Sequence, residues 1–529
     1  MARDLLCAVD VGTKSARAGI VTPDGQLLAK CETPFSLRSE QPNHAEHDSE
    51  EIWRAVSAAV REALAAAGVG AERIAGIAFD ATCSLVVRGE GGRQLPVSPS
   101  GKSHWDTIVW LDHRAIGEAD ECTASGHEVL GFIGGAMSPE METPKLMWLK
   151  RNLPDTWKAA RHFFDLTDFL SWRATGSTAR SQCTLTAKWT YLAHEDSWRE
   201  DFFESLGIGD MLEQGSLPAI AAPVGSRLGT LTPEAAAELG LDTSVVVGAG
   251  LIDAFAGALG VIGGFAAEEI DRHLALVAGT SSCIMGMSPR ARPVSGVWGP
   301  YYGAALPGLW LFEGGQSVTG GLLDHVIRLF GRGLEADAET HQRIIARVQE
   351  LRASEPDLGG GIHILPDFHG NRSPFANPHA SGVVSGLTLD DSFDGLCRVY
   401  WRACVAIALG VRHILDHLNA HGFQIDTVHV TGGHTRNPLL MELYANATGC
   451  SVSLSETQDA VLLGTAMVAA AASGLHDDLT AAAAAMTRPE TRIPPDPAAA
   501  TRHERDYRIF LRMHEQRQEI DRMIQSTEI

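Results

Sequence analysis

The sequence predicts an α/β protein of two related lobes with a cleft between them. Three observations predict it. An apolar run, a Gly-Thr loop with hydroxyls and a second apolar run open the chain, around Gly12-Thr13-Lys14-Ser15, and the pattern returns around Gly279-Thr280-Ser281-Ser282. Short buried-strand runs deliver single aspartates at their carboxyl ends, Asp80 after residues 74–79 and Asp112 after 108–111. Helical apolar spacing alternates with these strands, the pattern of α/β architecture.

In chain order, residues 5–9 and 16–21 read as strands, Pro23-Asp24-Gly25 as a turn, and 27–29 as a third strand. In DSEEIWRAVSAAVREALAAAG, Asp48 or Ser49 caps a helix with Ile52, Val56, Val60 and Leu64 on one face. A second cycle begins at residues 245–247 and passes through glycines into a small-residue helix starting close to Asp253. Residues 396–420 read as a long helix, and DTVHVTGGHTRNPLLMELYANATG as strand, glycine turn and helix. Residues 481–485 read as helical and RIPPDPAAA as a linker. The terminal helix is expected to dock through Tyr507, Phe510, Leu511, Ile520, Met523 and Ile524. The lobes divide near residues 260–270, giving units 1–265, 266–480 and 481–529.

A formal charge of −22, from 43 basic and 65 acidic residues, opposes a nucleic-acid or anionic-membrane role, since either needs a basic surface. Nine scattered cysteines without a CxxC pair read as buried thiols of a reducing compartment. With no signal-peptide pattern and no membrane-length apolar run, a cytoplasmic location is expected.

The opening loop looks like a P-loop and fails the test. Lys14 follows Thr13 where a Walker loop needs glycine, and strand, not helix, comes after Ser15. Gly101-Lys102-Ser103 fails too, because Pro96 stands where the first glycine belongs. Two readings of residues 10–17 remain: a plain hairpin with a polar tip, or a hairpin facing phosphate. In the second, Gly12 admits close approach, Thr13 and Ser15 donate, Lys14 or Arg17 neutralises charge, and Asp10 holds Mg²⁺ through water.

Asp253 in GLIDAF is a lone carboxylate where strand meets helix, either a helix N-cap or a base for a hydroxyl proton. Lys188 and Glu313 are single charges beside apolar runs, as ligand contacts or ordinary ion pairs. His413, His417 and His421 share a helix face opposite Val411, Ile414, Leu415 and Leu418, and are expected to face solvent rather than bind metal. His44 and His47 are read the same way. Gly432 and Gly433 form a turn that could lie against a purine, with Asn437 bonding to it.

The ordered set DVGTKSAR, FDATCS, VWLDHRA, GLIDAFAG, AGTSS, EGGQSVTGG, PDFHGNRSP and VTGGHTRNPLL resembles the FGGY carbohydrate kinases, within the actin-like ATPase superfamily. FDATCSLVV, VWLDHRA, HFFDLTDFLSWRATG, VWGPYY and DFHGNRSP together resemble its pentulose-kinase branch. The resemblance implies two ribonuclease-H-like lobes of mixed sheets flanked by helices, a deep cleft, ATP and Mg²⁺ as cofactors, and a homodimer. It implies Asp253 as catalytic base, Asp10, Gly12, Thr13, Ser15 and Arg17 at the first phosphate loop, and Gly279, Thr280 and Ser281 at the second. Gly432, Gly433 and Asn437 fall at the adenosine turn. Thr82, Cys83, Lys188, Glu313 and Gln316 would meet the sugar, with Cys83 a shape contact. The implied reaction phosphorylates the C5 hydroxyl of a ketopentose, D-ribulose foremost, with L-ribulose, D-xylulose or a polyol as alternatives. An actin-like ATPase serving only as a binding module would not need this sugar-side set. Lys14 and His434 receive no role.

Overall fold

The computed structural model describes residues 3–457, 459–488 and 490–525. Strands β1 (Leu5–Val11), β2 (Ser15–Val21) and β3 (Leu27–Pro34) form an antiparallel meander. Helix α1 (Ser49–Ala67) follows. The Asp48 side chain accepts from the Glu50 and Glu51 N–H groups, Ile52, Val56, Val60 and Leu64 are buried, and Gly68 ends the helix at φ 65°. The chain then returns as β4 (Ile74–Ala81), parallel to β1. Strands β5 (Arg227–Thr230) and β6 (Val246–Gly248) complete the order β3-β2-β1-β4-β6-β5, with the short strand Leu251–Ile252 also on β4.

The second sheet repeats this plan. Strands β7 (His273–Ala278), β8 (Ser282–Ser288), β9 (Trp298–Tyr302), β10 (Trp310–Gln316), β11 (Thr427–Thr431), β12 (Ser451–Ser455) and β13 (Glu490–Ile493) lie in the order β9-β10-β8-β7-β11-β12-β13. In both sheets an antiparallel run, of three strands in the first and four in the second, leads into two parallel steps and an antiparallel edge. The recurrence of Gly-Thr loops therefore marks a repeated sheet. Each loop follows the first strand of its sheet.

Helices between the sheets link the two lobes. Helix α2 (Gln182–Lys188) starts at Ser181, whose hydroxyl donates to the Gly250 carbonyl at 2.7 Å. Helix α3 (Asp253–Ile262) follows the first sheet in sequence yet abuts the second, where a Cβ on Gly257 would touch Val277. After α4 (Gly320–Phe330), α5 (Phe393–Ala420) and α6 (Pro438–Thr448) comes α7 (Ala460–Ser473), which makes the reverse exchange. A Cβ on Gly76 of β4 would stand 2.7 Å from the Ala469 carbonyl. Helices α3 and α7 meet through glycine, for a Cβ on Gly260 or Gly464 would lie 2.0 Å from the facing Ala460 or Ala256 carbonyl. One apolar core thus runs from Leu6 to Met486 through both lobes.

Five sequence expectations need correction. His47 does not face solvent but is fully buried, with Nε2 3.0 Å from the Thr13 carbonyl, a partner no local pattern announces. Of the 108–111 run only Ile108 lies in a strand, the short Thr107–Ile108, and Asp112 is a buried structural carboxylate, accepting from Ala45 N–H at 2.6 Å and paired with Arg114 at 2.7 Å. The segment 492–500 is not purely a linker, because Arg492 and Ile493 close the edge strand β13. In α8 (Ala500–Gln525), Tyr507 and Phe510 are buried with Leu511 packed beside them, whereas Ile520, Met523 and Ile524 are exposed. At about 1.5 Å per residue this helix spans about 39 Å and outruns the surface it covers. That docking also encloses His413 among Phe375, Tyr507, Phe510 and His514, and burial pushes its pKa down to about 4. Periodicity had assigned this histidine to solvent because α8's position is not encoded locally. Residues 481–485 lie in the helix Leu479–Met486 as expected.

All nine cysteines are unpaired, and only Cys31 and Cys283 are not fully buried. Among the described residues no helix is long and apolar enough to cross a membrane.

Candidate active site

The first loop joins β1 to β2 through residues 12–14, with Gly12 N–H donating to the Ser15 carbonyl at 3.0 Å. A Cβ on Gly12 would meet nothing nearer than that carbonyl, at 3.8 Å, so the glycine leaves this backbone open. The Thr13 hydroxyl accepts from the Trp110 indole N–H at 3.0 Å. Lys14 is exposed. Strand register sets Arg17 opposite Asp10, and the two form an ion pair. Arg17 also lies 3.6 Å from Asp459, which Lys30 approaches at 3.2 Å.

Asp10 and Asp80 end neighbouring parallel strands in direct register and are both fully buried. Burial, opposed by Arg17 and reinforced by Asp253 and Asp459, pushes Asp10 up to about 7. Burial and the Asp10 charge hold Asp80 well above the usual carboxylate range, while the Thr465 hydroxyl of α7 donates to it. Asp10, Asp80, Asp253 and Asp459 thus outnumber Arg17 and Lys30. That donor set fits a divalent cation held near Asp10, the buried group whose charge such a cation would stabilise. Among the described residues no three His, Cys, Asp or Glu side chains converge tightly enough to bind a metal by themselves, so waters and phosphate oxygens would complete its shell.

Asp253 is the first residue of α3, and Ile252, not Asp253, is the N-cap. Its Oδ1 accepts from Ala254 N–H at 2.7 Å. Burial raises its pKa, Ala254 N–H and Arg17 pull it down, and Glu313 pushes it up. The carboxylate therefore senses the charges of Arg17 on β2 and of the Glu313-Lys188 pair.

Lys188 ends α2 and is buried. Its Nζ lies 3.4 Å from Glu313 and 4.4 Å from the Trp298 ring centroid. Burial opposes its charge, but Glu313 and Cys83 outweigh that and hold its pKa well above the ordinary value. Arg372 also covers Trp298, at 5.3 Å, and pairs with Glu140 at 3.5 Å. Thr82 and Cys83 are buried just beyond β4. The Thr82 hydroxyl lies 3.2 Å from that of Ser84, and Lys145 donates to the Cys83 carbonyl at 3.4 Å. Gln316 stands apart. Side chains alternate along β10, so Gln316 takes the face opposite Glu313 and donates to the Ile407 carbonyl of α5 at 3.0 Å.

The second loop, Gly279–Ser281, closes by Gly279 N–H donating to the Ser281 carbonyl at 2.8 Å. A Cβ on Gly279 would meet only that carbonyl, at 4.0 Å. The loop's own carbonyls turn inward. Gly279 accepts from Gly320 N–H at 3.0 Å, and Thr280 from Thr319 and Gly321 N–H at 2.8 and 3.1 Å. Gly432 has φ 89°, and a Cβ there would stand 2.5 Å from the Ala278 carbonyl. Asn437 is buried and caps α6, its Oδ1 accepting from Leu439 N–H at 3.1 Å. His434 lies between turn and loop, its Nε2–H donating to the Gly279 carbonyl at 2.9 Å.

Sequence reasoning gave no role to Trp298, Arg372, Glu140, Asp459, Trp110 or the Asp80 carboxylate. Trp298 and Arg372 sit inside motifs already singled out, VWGPYY and PDFHGNRSP. Glu140 and Asp459 carry no local signal.

A model of the FGGY family of carbohydrate kinases, N-terminal domain, matches residues 5–260, and one of the C-terminal domain matches 274–473. The chain is similar to an FGGY carbohydrate kinase domain-containing protein of Danio rerio, 42% identical and covering 97% of each chain. It is also similar to a D-ribulokinase of Saccharomyces cerevisiae, 36% identical over 88% of this chain and 71% of the other. Among solved structures, xylulose kinase from Rhodospirillum rubrum superposes with a TM-score of 0.81 at 26% identity, covering 98% and 99% of the two chains.

Proposed function

Because the chain belongs to the FGGY family of carbohydrate kinases, and is thus a sugar phosphotransferase, we propose that it phosphorylates the C5 hydroxyl of a ketopentose from ATP, with D-ribulose the foremost acceptor. One observation carries this reading. Asp253 opens α3 directly after the short strand Leu251–Ile252, which pairs with β4 beside the Asp10-Asp80 strand ends, and its carboxylate is within electrostatic reach of Arg17, Lys188 and Glu313.

In this scheme Asp253 receives the proton of the attacking hydroxyl while the oxygen bonds to the terminal phosphorus and ADP departs. Arg17 and the N–H groups of the two loops hold the phosphates in line, and the Gly432-Gly433 turn, ending at Asn437, supports the nucleoside. Asp10 would hold Mg²⁺ through water, and a bound Mg²⁺ would neutralise phosphate charge. Lys188 and Glu313 bond to acceptor hydroxyls, with Thr82 and Cys83 shaping the floor. Each cation of the sugar side already has a carboxylate, Lys188 with Glu313 and Arg372 with Glu140, which favours a neutral polyhydroxyl acceptor over a sugar acid. A cytoplasmic homodimer accords with the reading.

The choice of D-ribulose rests on the yeast relative's name and the pentulose-type motifs. The test is ADP release across D-ribulose, L-ribulose, D-xylulose and a polyol series. The reading expects the highest kcat/KM for D-ribulose, and a preference for another acceptor would replace it.

A further inference from the structure

Each phosphate-type loop is backed by one buried histidine. In the first lobe His47, fully buried behind the hairpin, has Nε2 3.0 Å from the Thr13 carbonyl. In the second, His434 Nε2 lies 2.9 Å from the Gly279 carbonyl, and its Nδ1 lies 2.8 Å from the Tyr444 hydroxyl. A carbonyl only accepts, so both rings carry their proton on Nε2. Tyr444 then donates to Nδ1 of His434. Burial pushes both pKa values down to about 4, so each ring is a neutral donor across the ordinary working range.

We propose that His47 and His434 are positioning residues that aim the two loops at the phosphates of the nucleotide. This rests on the reading of both hairpins as phosphate loops. A trans peptide is planar, with its C=O and the following N–H pointing in opposite directions. Drawing the Gly279 carbonyl inward therefore turns the Thr280 N–H outward, and drawing the Thr13 carbonyl inward does the same for the Lys14 N–H. His434 has a second effect. It belongs to the turn that begins at Gly432, so its bond joins the proposed nucleoside turn to the phosphate loop. Thr319 and Gly320 share the Gly279 carbonyl, at 3.3 and 3.0 Å, so the peptide plane is held from two sides.

The test compares His434→Phe, which removes the donor, with His434→Gln, whose amide N–H reaches the Nε2 position. The same two substitutions are made at His47. Readouts are kcat, KM for MgATP, KM for acceptor, MgADP affinity by calorimetry and thermal midpoint. Loss of one aligned hydrogen bond predicts kcat falling about tenfold and MgADP binding weakening in the Phe variants, with acceptor KM within about twofold and most of the loss restored in the Gln variants. The MgADP arm needs no acceptor, so it stands even if D-ribulose is not the substrate. Should His434→Phe fail to fold, Tyr444→Phe removes only the bond orienting the ring and is expected to show a smaller loss of the same kind. Phe variants that bind MgADP and turn over as the wild type does, or that lose only thermal midpoint, would overturn the proposal.

Discussion

Replacing Glu313 by Gln tests whether the Lys188-Glu313 pair is held as the structure describes. Both side chains are at most 6% exposed, and their charged atoms are 3.4 Å apart. Removing one partner of such a pair costs about 3–5 kcal/mol, because the other charge stays buried. Trp298 remains under the ammonium at 4.4 Å, and a desolvated cation over tryptophan retains about 2 kcal/mol. The net loss expected for Glu313→Gln is then about 1–3 kcal/mol. Lys188→Met is expected to cost a similar amount, moderated by the attraction of Glu313 to nearby Arg372. The double variant leaves no charge behind, so its loss should fall short of the sum of the singles by about 1 kcal/mol or more. Urea unfolding followed by tryptophan fluorescence measures the cycle, and acceptor KM is read in parallel. Additive losses within about 0.5 kcal/mol would refute the reasoning, for they would mean the two charges do not share one buried site.

Asp10→Asn should change how stability depends on pH. The folded-state value of about 7 lies above the ordinary 3.8, so the folded chain binds this proton more tightly than the unfolded one. That contribution is complete below the ordinary value and lost as pH rises towards 7, to a total of at most about 4 kcal/mol. Thermal midpoints of the variant should therefore gain on the wild type between about pH 4 and pH 7, and a constant difference would contradict the assignment. Gly432→Ala forces a Cβ to 2.5 Å from the Ala278 carbonyl at φ 89°. It should raise KM for MgATP about tenfold or more. A Gly432→Ala variant whose KM for MgATP stays within about twofold of the wild type would argue against the steric account.

The lobes were legible because their signals are local. Two Gly-Thr hairpins, parallel-strand runs ending in Asp10 and Asp80, and the strand-to-helix entry at Asp253 each occupy a few consecutive residues. Pairings between distant segments were not legible. Lys188 and Glu313 are 125 positions apart, and Arg372 and Glu140 are 232 apart. The separation of Gln316 from Glu313 could have been read, since strand alternation puts residues three apart on opposite faces. His47 and His434 were left without roles because their partners are backbone carbonyls of remote loops, which no side-chain motif announces. For α8, periodicity revealed an apolar stripe but not how much protein surface lies beneath it.

The account rests on Asp253 taking the proton of an acceptor hydroxyl at the end of an ATP site. The direct measurement is the initial rate of D-ribulose-dependent ADP release at saturating MgATP, in the wild type and in Asp253→Asn, with MgADP affinity measured alongside. The account predicts rapid release by the wild type, a fall of about a hundredfold or more in the variant, and unchanged MgADP affinity. An Asp253→Asn variant that still phosphorylates D-ribulose at a rate near the wild type's would contradict it.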